Sequence, residues 1–517
     1  MKDVLKWGWG LAFLMVSGVV TAAVKYIDIW EFQVEGNSLL SEEVIQQNLM
    51  PYLGAARTIE DVETAAQTLQ KLYKQAGYPA VFVEIPPQTV VNGVFTLKVT
   101  ETRVRRVNIQ GAHYFLPSLI KQTLPTLEPG RPLNLSELQQ DIQQANALSR
   151  DLTLLPMLKQ GPSEDLIDVE VDIDDQLPLS GGIELNNFNT ENTTDTRLSV
   201  DLAYSNLWQK FHEWSFQAQV SPEDRDEVQV LASTYIFPLG FSGKKVALYA
   251  VWSDSDLATL GNTRVVGEGF ILGGRYIRPF RQQGAAMSTL IFGLDYKDFD
   301  ESIVVAGASE SYETPLDYII FSSQFSRFQR QDNWSDSLAL ALKFGVRGVA
   351  NDNEEFNEKR SRGEPNFVVL KADFDRTQFF GGGWSLDGFG TLQWADSPLV
   401  SNEQMSAGGV DSVRGYYESQ VSADMGAIVG LQLNPPAKSW SWGKLNLLAF
   451  LEGAYLLNED TGQEEEDEFD LAAVGVGARG EAGSGWSLDL DIGYPLVAVE
   501  SIDEGEVRTS ASIRYEF

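Results

Sequence analysis

The chain has 517 residues, 73 acidic against 39 basic, for a net charge of −34, and no cysteine. The charge excludes a nucleic-acid binder, which needs a basic face against the phosphates. The missing cysteines exclude disulfides, thiolate metal sites and a Cys nucleophile, while the hydrophobic fraction of 43% is that of a folded protein and not a disordered one.

The N-terminus reads as a secretory leader over residues 1–23. Lys2 and Lys6 supply the charged region, Trp7 to Val20 the apolar run, and Thr21-Ala22-Ala23 the small residues for cleavage. After residue 24 no segment is long and apolar enough for a transmembrane helix. A membrane location of the mature chain therefore requires a barrel.

Residues 24–103 mix strand and helix. Tyr26 to Val34 is strand-like, Ser41 caps a short helix opening with Glu42 and Glu43, and Thr58 with Asp61 forms an approximate capping box. Val62, Ala65, Ala66, Leu69, Leu72, Tyr73 and Ala76 follow at helical spacing, and Gly77 closes the helix. Strands Ala80 to Ile85 and Val94 to Thr100 are joined across Asn92-Gly93. Residues 104–178 repeat the order: a strand from Val104 to Ile109, a short helix from Leu116 to Leu124, a longer helix capped by Asn134 with Glu137, then strands 154–159 and 167–173. Two copies of one module of roughly 75 residues account for both stretches.

From residue 179 to Phe517 long amphipathic helices stop and alternating segments begin. In the last, Val507, Thr509, Ala511, Ile513, Tyr515 and Phe517 share one face, and Arg508, Ser510, Ser512, Arg514 and Glu516 the other. One side in lipid and one in a polar bore explains this pattern. Sixteen such strands fit: 181–188, 195–205, 212–220, 226–237, 244–254, 264–278, 285–297, 316–325, 337–349, 364–374, 384–395, 422–434, 444–456, 470–480, 485–494 and 506–517. Connections 298–315, 350–363, 396–421 and 457–469 are long, and the alternate ones mostly short, as in barrels with long outside loops. The acidic run from Asn458 to Asp470 reads as a solvated loop, its spacing giving no cation site. His113 and His212, far apart in sequence, read as ordinary surface or barrel residues.

The connection between strands eleven and twelve carries Gly408-Gly409-Val410-Asp411-Ser412-Val413-Arg414-Gly415-Tyr416. This run resembles the GG-x-x-S-V-R-G-[FY] signature of the two-partner secretion transporters (ShlB/FhaC/HecB-type), within the superfamily of outer-membrane assembly barrels. The paired modules resemble its polypeptide-transport-associated (POTRA) domains. Glu84-Ile85-Pro86-Pro87-Gln88 with Asn92-Gly93, Tyr235 to Gly240, and the terminal Phe517 as outer-membrane signal agree with the resemblance, which covers nearly all of the mature chain. It implies two α+β POTRA domains in the periplasm, then a 16-stranded antiparallel transmembrane barrel with a lumen loop at 396–421. The family's barrel-wall motif falls on Phe450, Glu452 and Gly453, with Glu452 replacing the family's Asp and the glycine shifted by one. By resemblance, Arg414 reaches into the lumen and pairs with Glu452.

Many members begin with a pore-plugging helix. Here the first strand starts within a few residues of the expected cleavage site, so the reading leaves the 396–421 loop as the obstruction. The resemblance implies export of an unfolded exoprotein, adhesin- or haemolysin-like, by a monomer in outer-membrane lipid. No cofactor, metal or nucleic acid is expected: the chain has no GxxxxGK[ST] loop, G-x-S-x-G elbow or metal-ligand cluster. The alternatives are an insertase of the assembly branch, against which two modules instead of three or more argue, and a passive porin, which needs no client-binding modules.

Overall fold

The computed structural model describes residues 26–191, 193–255, 258–260, 263–265, 267–281, 286–304, 311–348, 353–459 and 468–517. The expected leader and most of the acidic run 458–470 lie outside them. Two compact units form, one of residues up to 109 with 124–141 and 156–171, the other of 110–123, 142–155 and 172–517.

The first module runs β1 (Ile27–Ile29), β2 (Glu31–Glu35), α1 (Glu42–Leu49), β3 (Gly54–Arg57), α2 (Ile59–Gln75), β4 (Phe82–Glu84) and β5 (Val94–Thr100). Ser41 and Thr58 cap the helices, Thr58 and Asp61 completing a reciprocal capping box. The apolar stripe of α2, including Val62, Leu69 and Tyr73, packs with Ile45, Leu49 and Leu97 into one core. β2 is parallel and β4 antiparallel to the central β5. The single strand expected over 26–34 divides at Trp30, whose N–H donates to the Gly93 carbonyl at 2.8 Å. β1 leaves this sheet and pairs with β3, an element absent from the sequence reading. Gly-Ala-Ala-Arg is too small and short to signal a strand.

The second module repeats the order with β6 (Arg103–Gln110), α3 (Pro117–Gln122), α4 (Leu135–Asn146), β7 (Leu152–Gln160) and β8 (Leu166–Asp175), its sheet ordered β6–β8–β7. Asn134 caps α4, its Oδ1 accepting from the Ser136 and Glu137 N–H groups at 2.9 and 3.1 Å.

The barrel begins with β9 (Leu179–Asn186), β10 (Arg197–Leu207), β11 (His212–Val220), β12 (Val228–Pro238) and β13 (Lys245–Ser255), followed by a small hairpin of β14 (Ala258–Leu260) and β15 (Thr263–Val265). It continues with β16 (Glu268–Arg281), β17 (Ala286–Val304), β18 (Ser311–Arg330), β19 (Trp334–Gly345), a short helix α5 (Asn353–Lys359), β20 (Val368–Phe379) and β21 (Ser385–Ala395). Next comes a second hairpin, β22 (Met405–Ala407) with β23 (Val421–Ala423). The wall resumes with β24 (Met425–Asn434), β25 (Lys438–Trp440), β26 (Gly443–Leu457), β27 (Glu468–Ala482), β28 (Trp486–Pro495) and β29 (Arg508–Glu516). Every wall strand is antiparallel to its neighbours, and β29 pairs with β9 to close the cylinder. Phe517 extends this seam, its N–H donating to the Gly181 carbonyl at 3.0 Å.

β24 and β25 both pair with β26 and form one wall strand, giving sixteen. Pro435 and Pro436 interrupt it because neither has an N–H for the ladder. β17 and β18 outrun the expected 285–297 and 316–325, pairing on to Val304 and Ser311. Charged residues there read as loop, but a backbone ladder does not require apolar side chains. The expected strand at 422–434 starts at Met425 instead, because residues 421–423 turn away to pair with β22.

Side-chain alternation assigns the two faces. Leu370, Leu392, Val429, Leu447 and Val476 lie about half exposed on the outside, an apolar belt that suits lipid and not water. Trp208, Trp384, Trp442 and Trp486 mark the strand ends beside the short turns, and Trp252 and Trp394 the opposite ends, as membrane-interface aromatics do. Among the described residues no helix is long and apolar enough to cross a membrane.

Candidate functional site in the barrel lumen

The 396–421 connection folds into an arm. β22 and β23 make its stem, and residues 408–420 its tip. Gly408 and Gly409 take φ of +109° and +96°, values that glycine adopts without a Cβ clash. Ser412 Oγ donates to the Gly408 carbonyl and accepts from its N–H, both at 2.9 Å, closing the turn. Val413 is fully buried in an apolar cluster with Met405, Ala423, Leu456 and Ala473.

Arg414 follows and is nearly enclosed, its side chain 5% exposed. Its Nε donates to Glu452 Oε1 at 2.9 Å, Nη2 donates to the same oxygen, and its backbone N–H donates to Oε2 at 2.8 Å. Nη1 reaches Asp491 Oδ1 at 3.2 Å and Nη2 also reaches Gln432 Oε1 at 3.0 Å. The guanidinium lies over the Phe450 ring, 3.7 Å from its centroid. Arg479 donates to the other Asp491 oxygen at 2.7 Å. Two guanidiniums thus alternate with two buried carboxylates, which compensates charges that would be costly to bury alone.

Strand periodicity sets this geometry. Phe450 and Glu452 are two apart on β26 and both face the bore, whereas Gly453 faces outward. Gly415, at φ +100°, lies against Gly493 of β28; a Cβ built on Gly493 would come within 2.5 Å of the Gly415 Cα. The tip reaches the wall because neither residue has a side chain. Tyr416 is 1% exposed. Its hydroxyl lies 2.7 Å from the Val497 carbonyl and 2.9 Å from that of Ala472, with one proton to share.

Gly408, Gly409, Ser412, Val413, Arg414, Gly415 and Tyr416 therefore form the tip, and Phe450 and Glu452 the wall it touches. Phe517 lies at the seam and takes no part. Asp491, Gln432, Arg479 and Gly493 were not singled out from the sequence. Asp489 and Asp491 alternate with apolar residues along their strand, the available signal for carboxylates facing a bore. His113 lies beside Asp175 and His212 bonds the Tyr235 hydroxyl, so neither joins the site. Among the described residues no group of three or more His, Cys, Asp or Glu could hold a metal.

A closed sixteen-strand barrel that follows two POTRA-type modules in the chain, with an arginine-tipped arm folded into its bore, defines an outer-membrane barrel that handles polypeptides. Residues 165–480 match the family described as haemolysin secretion/activation protein ShlB/FhaC/HecB, and residues 27–102 match the ShlB-type POTRA domain; the chain belongs to this two-partner secretion family. It is 24% identical over 470 residues to the outer membrane transporter CdiB of Dickeya dadantii (strain 3937), covering 86% of this chain and 78% of that protein. Against CdiB of Escherichia coli the identity is 22% over 501 residues, covering 89% and 78%. Among solved structures, CdiB from Escherichia coli superposes with a TM-score of 0.72 at 19% identity, covering 98% of this chain and 94% of that one. BamA from Haemophilus ducreyi lacking POTRA domains 1–3 gives 0.56 at 12% identity, covering 95% and 100%, a likeness of fold alone. The protein is an outer-membrane secretion transporter with its POTRA domains in the periplasm.

Proposed function

We propose that the chain exports one unfolded exoprotein, adhesin- or haemolysin-like, acting as a monomer whose arm gates the bore. Residues 24–103 and 104–178 are the two client-docking modules, and residues 179–517 the conduit. The observation that carries this reading is the arm itself. It lies in a polar bore and is held at its tip by hydrogen bonds and ion pairs, which break and reform without chemistry. An unfolded client offers backbone groups to an exposed sheet edge, and strand addition binds it without a folded epitope. Folding outside then disfavours return. Arg414, Glu452 and Phe450 serve as the latch of the closed state; Gly408, Gly409, Ser412 and Gly415 shape the tip that carries it.

Deleting the gene in its host and comparing secreted and membrane proteins by mass spectrometry tests the reading. Loss of one large secreted protein with membrane barrels unchanged is expected. Loss of many barrels would assign insertion instead. Removing residues 26–103 should abolish client binding while ion conductance in a planar bilayer persists; a shortened protein that still bound the client would refute docking.

A further inference from the structure

The arm has a second ionic anchor, at its base. Glu403 lies two residues before β22, with its carboxylate fully enclosed by the wall. Lys297 of β17 forms an ion pair with Oε1, and Tyr318 of β18 donates to the same oxygen at 3.1 Å. The Lys343 ammonium of β19 stands 3.6 Å from Oε2, an oxygen that accepts no hydrogen bond among the described residues. Gln393 of β21 donates to the Glu403 carbonyl at 3.2 Å and to the Asp424 carbonyl at 3.1 Å, joining the two legs of the stem.

This cluster is chemically unlike the tip. At the tip two guanidiniums face two enclosed carboxylates. At the base one carboxylate faces two ammoniums, so it is the common counter-ion for charges that would otherwise repel across β17 and β19. The base anchor holds β17–β19 and the tip anchor β26–β28, different parts of the wall. Breaking either anchor leaves the other in place, so the arm is held less firmly but is not freed.

We propose that Glu403 with Lys297 and Lys343 is a second latch on the gate, and that the bore opens to a passing chain when both latches release. The proposal rests on the export reading for its purpose, but its test does not need a client. Full-length protein in a planar bilayer, without partner, is the assay, with heat-modifiable migration as the check on barrel assembly. Glu403→Gln keeps the shape, leaves the two ammoniums unbalanced, and should raise the time spent open by about tenfold. Lys297→Glu should do the same. The exchanged pair Lys297→Glu with Glu403→Lys keeps the cluster's net charge and should restore the closed state. Lys371→Met removes another lysine of the same cavity, one paired with Asp373 at 3.4 Å, and should leave conductance as in the parent. If Glu403→Gln fails to assemble, Lys297→Met carries the same expectation. Single variants as quiet as the parent, or an exchanged pair as open as the singles, would overturn the latch. Open single variants in a protein whose loss abolishes no secreted protein would keep the latch and remove the export reading.

Discussion

The two ends of the lumen arm are held by opposite arrangements of charge. At the tip, a planar fork of N–H donors is shared between Glu452 and Asp491 and stacked on Phe450. At the base, one carboxylate serves two flexible ammoniums and, among the described residues, keeps one oxygen without a hydrogen bond. Arginine fixes direction as well as charge; lysine fixes charge with less geometry. The tip is thus built for a defined position, and the base for a hold that rearranges.

The largest expected effect comes from Arg414→Ala. It leaves Glu452 and Asp491 enclosed without their shared cation, a loss on the order of 3–5 kcal/mol for a broken buried pair. Although the pore leaks more ions, secretion of the partner, measured in the culture medium by immunoblot, should fall more than about tenfold, because an arm without its seat strays across the client's path; the barrel should still migrate as heat-modifiable. Unchanged secretion would remove Arg414 from the mechanism. Arg414→Lys should fall between the two, since a point charge cannot reproduce the fork.

Combining Arg414→Ala with Glu403→Gln sharpens the comparison. Two latches that must both release add in free energy, so the open time of the double variant should approach the product of the single effects. A double variant no more open than the more open single would mean that one end alone sets the gate.

A smaller effect is expected from Gly493→Val. Its side chain would occupy the space of Gly415, an overpacking cost of about 1–3 kcal/mol that lifts the tip without touching a charge. Conductance of Gly493→Val like the parent's would show that the tip does not need this approach. Tyr416→Phe removes one hydroxyl proton shared by two carbonyls and should shift gating by about 1 kcal/mol, a few-fold in open time.

The smallest effect lies outside the barrel. Asp168 in the second module accepts from Arg105, whose hydrogen bond holds the carboxylate below its usual range. Its folded value is depressed. The stability it lends is therefore present above the ordinary aspartate value of about 3.9 and is lost as pH falls through the lowered one. Thermal unfolding of Asp168→Asn against the parent should differ slightly at pH 6 and converge in strong acid.

What was legible in the sequence follows from what leaves a periodic trace. Sixteen wall strands alternate between lipid and bore, so their polarity shows them, down to residues 212–220 as drawn. The tip was legible through the run Gly408 to Tyr416, and Glu452 through its place on the strand after next. The base was not. Glu403 sits in a stretch without pattern, and its partners come from wall strands more than fifty residues away. Nothing local distinguishes a lysine facing a bore from one that completes an ion pair. β3 escaped for a similar reason, being made a strand by its pairing with β1 and not by its own residues. The doubled proline at 435–436 marked its own break, yet polarity alone carried the strand to Asn434 and missed its resumption at Lys438.

Gly493 lies on the inner face of β28, where Gly415 of the tip rests, while Gly475 and Gly477 of β27 are covered by the wall's own Phe450 and Asp491 side chains. When the arm swings out, it uncovers one bare backbone position, Gly493, among the fixed charges Glu452, Asp491 and Arg479. A wall that carries both signs of charge close together gives little by which to prefer one passing sequence over another. On this view the conduit is indifferent to its cargo, and selectivity belongs upstream, where the client is first captured. Exchanging the N-terminal modules between two transporters of this family should then transfer client choice while the barrels stay as they are.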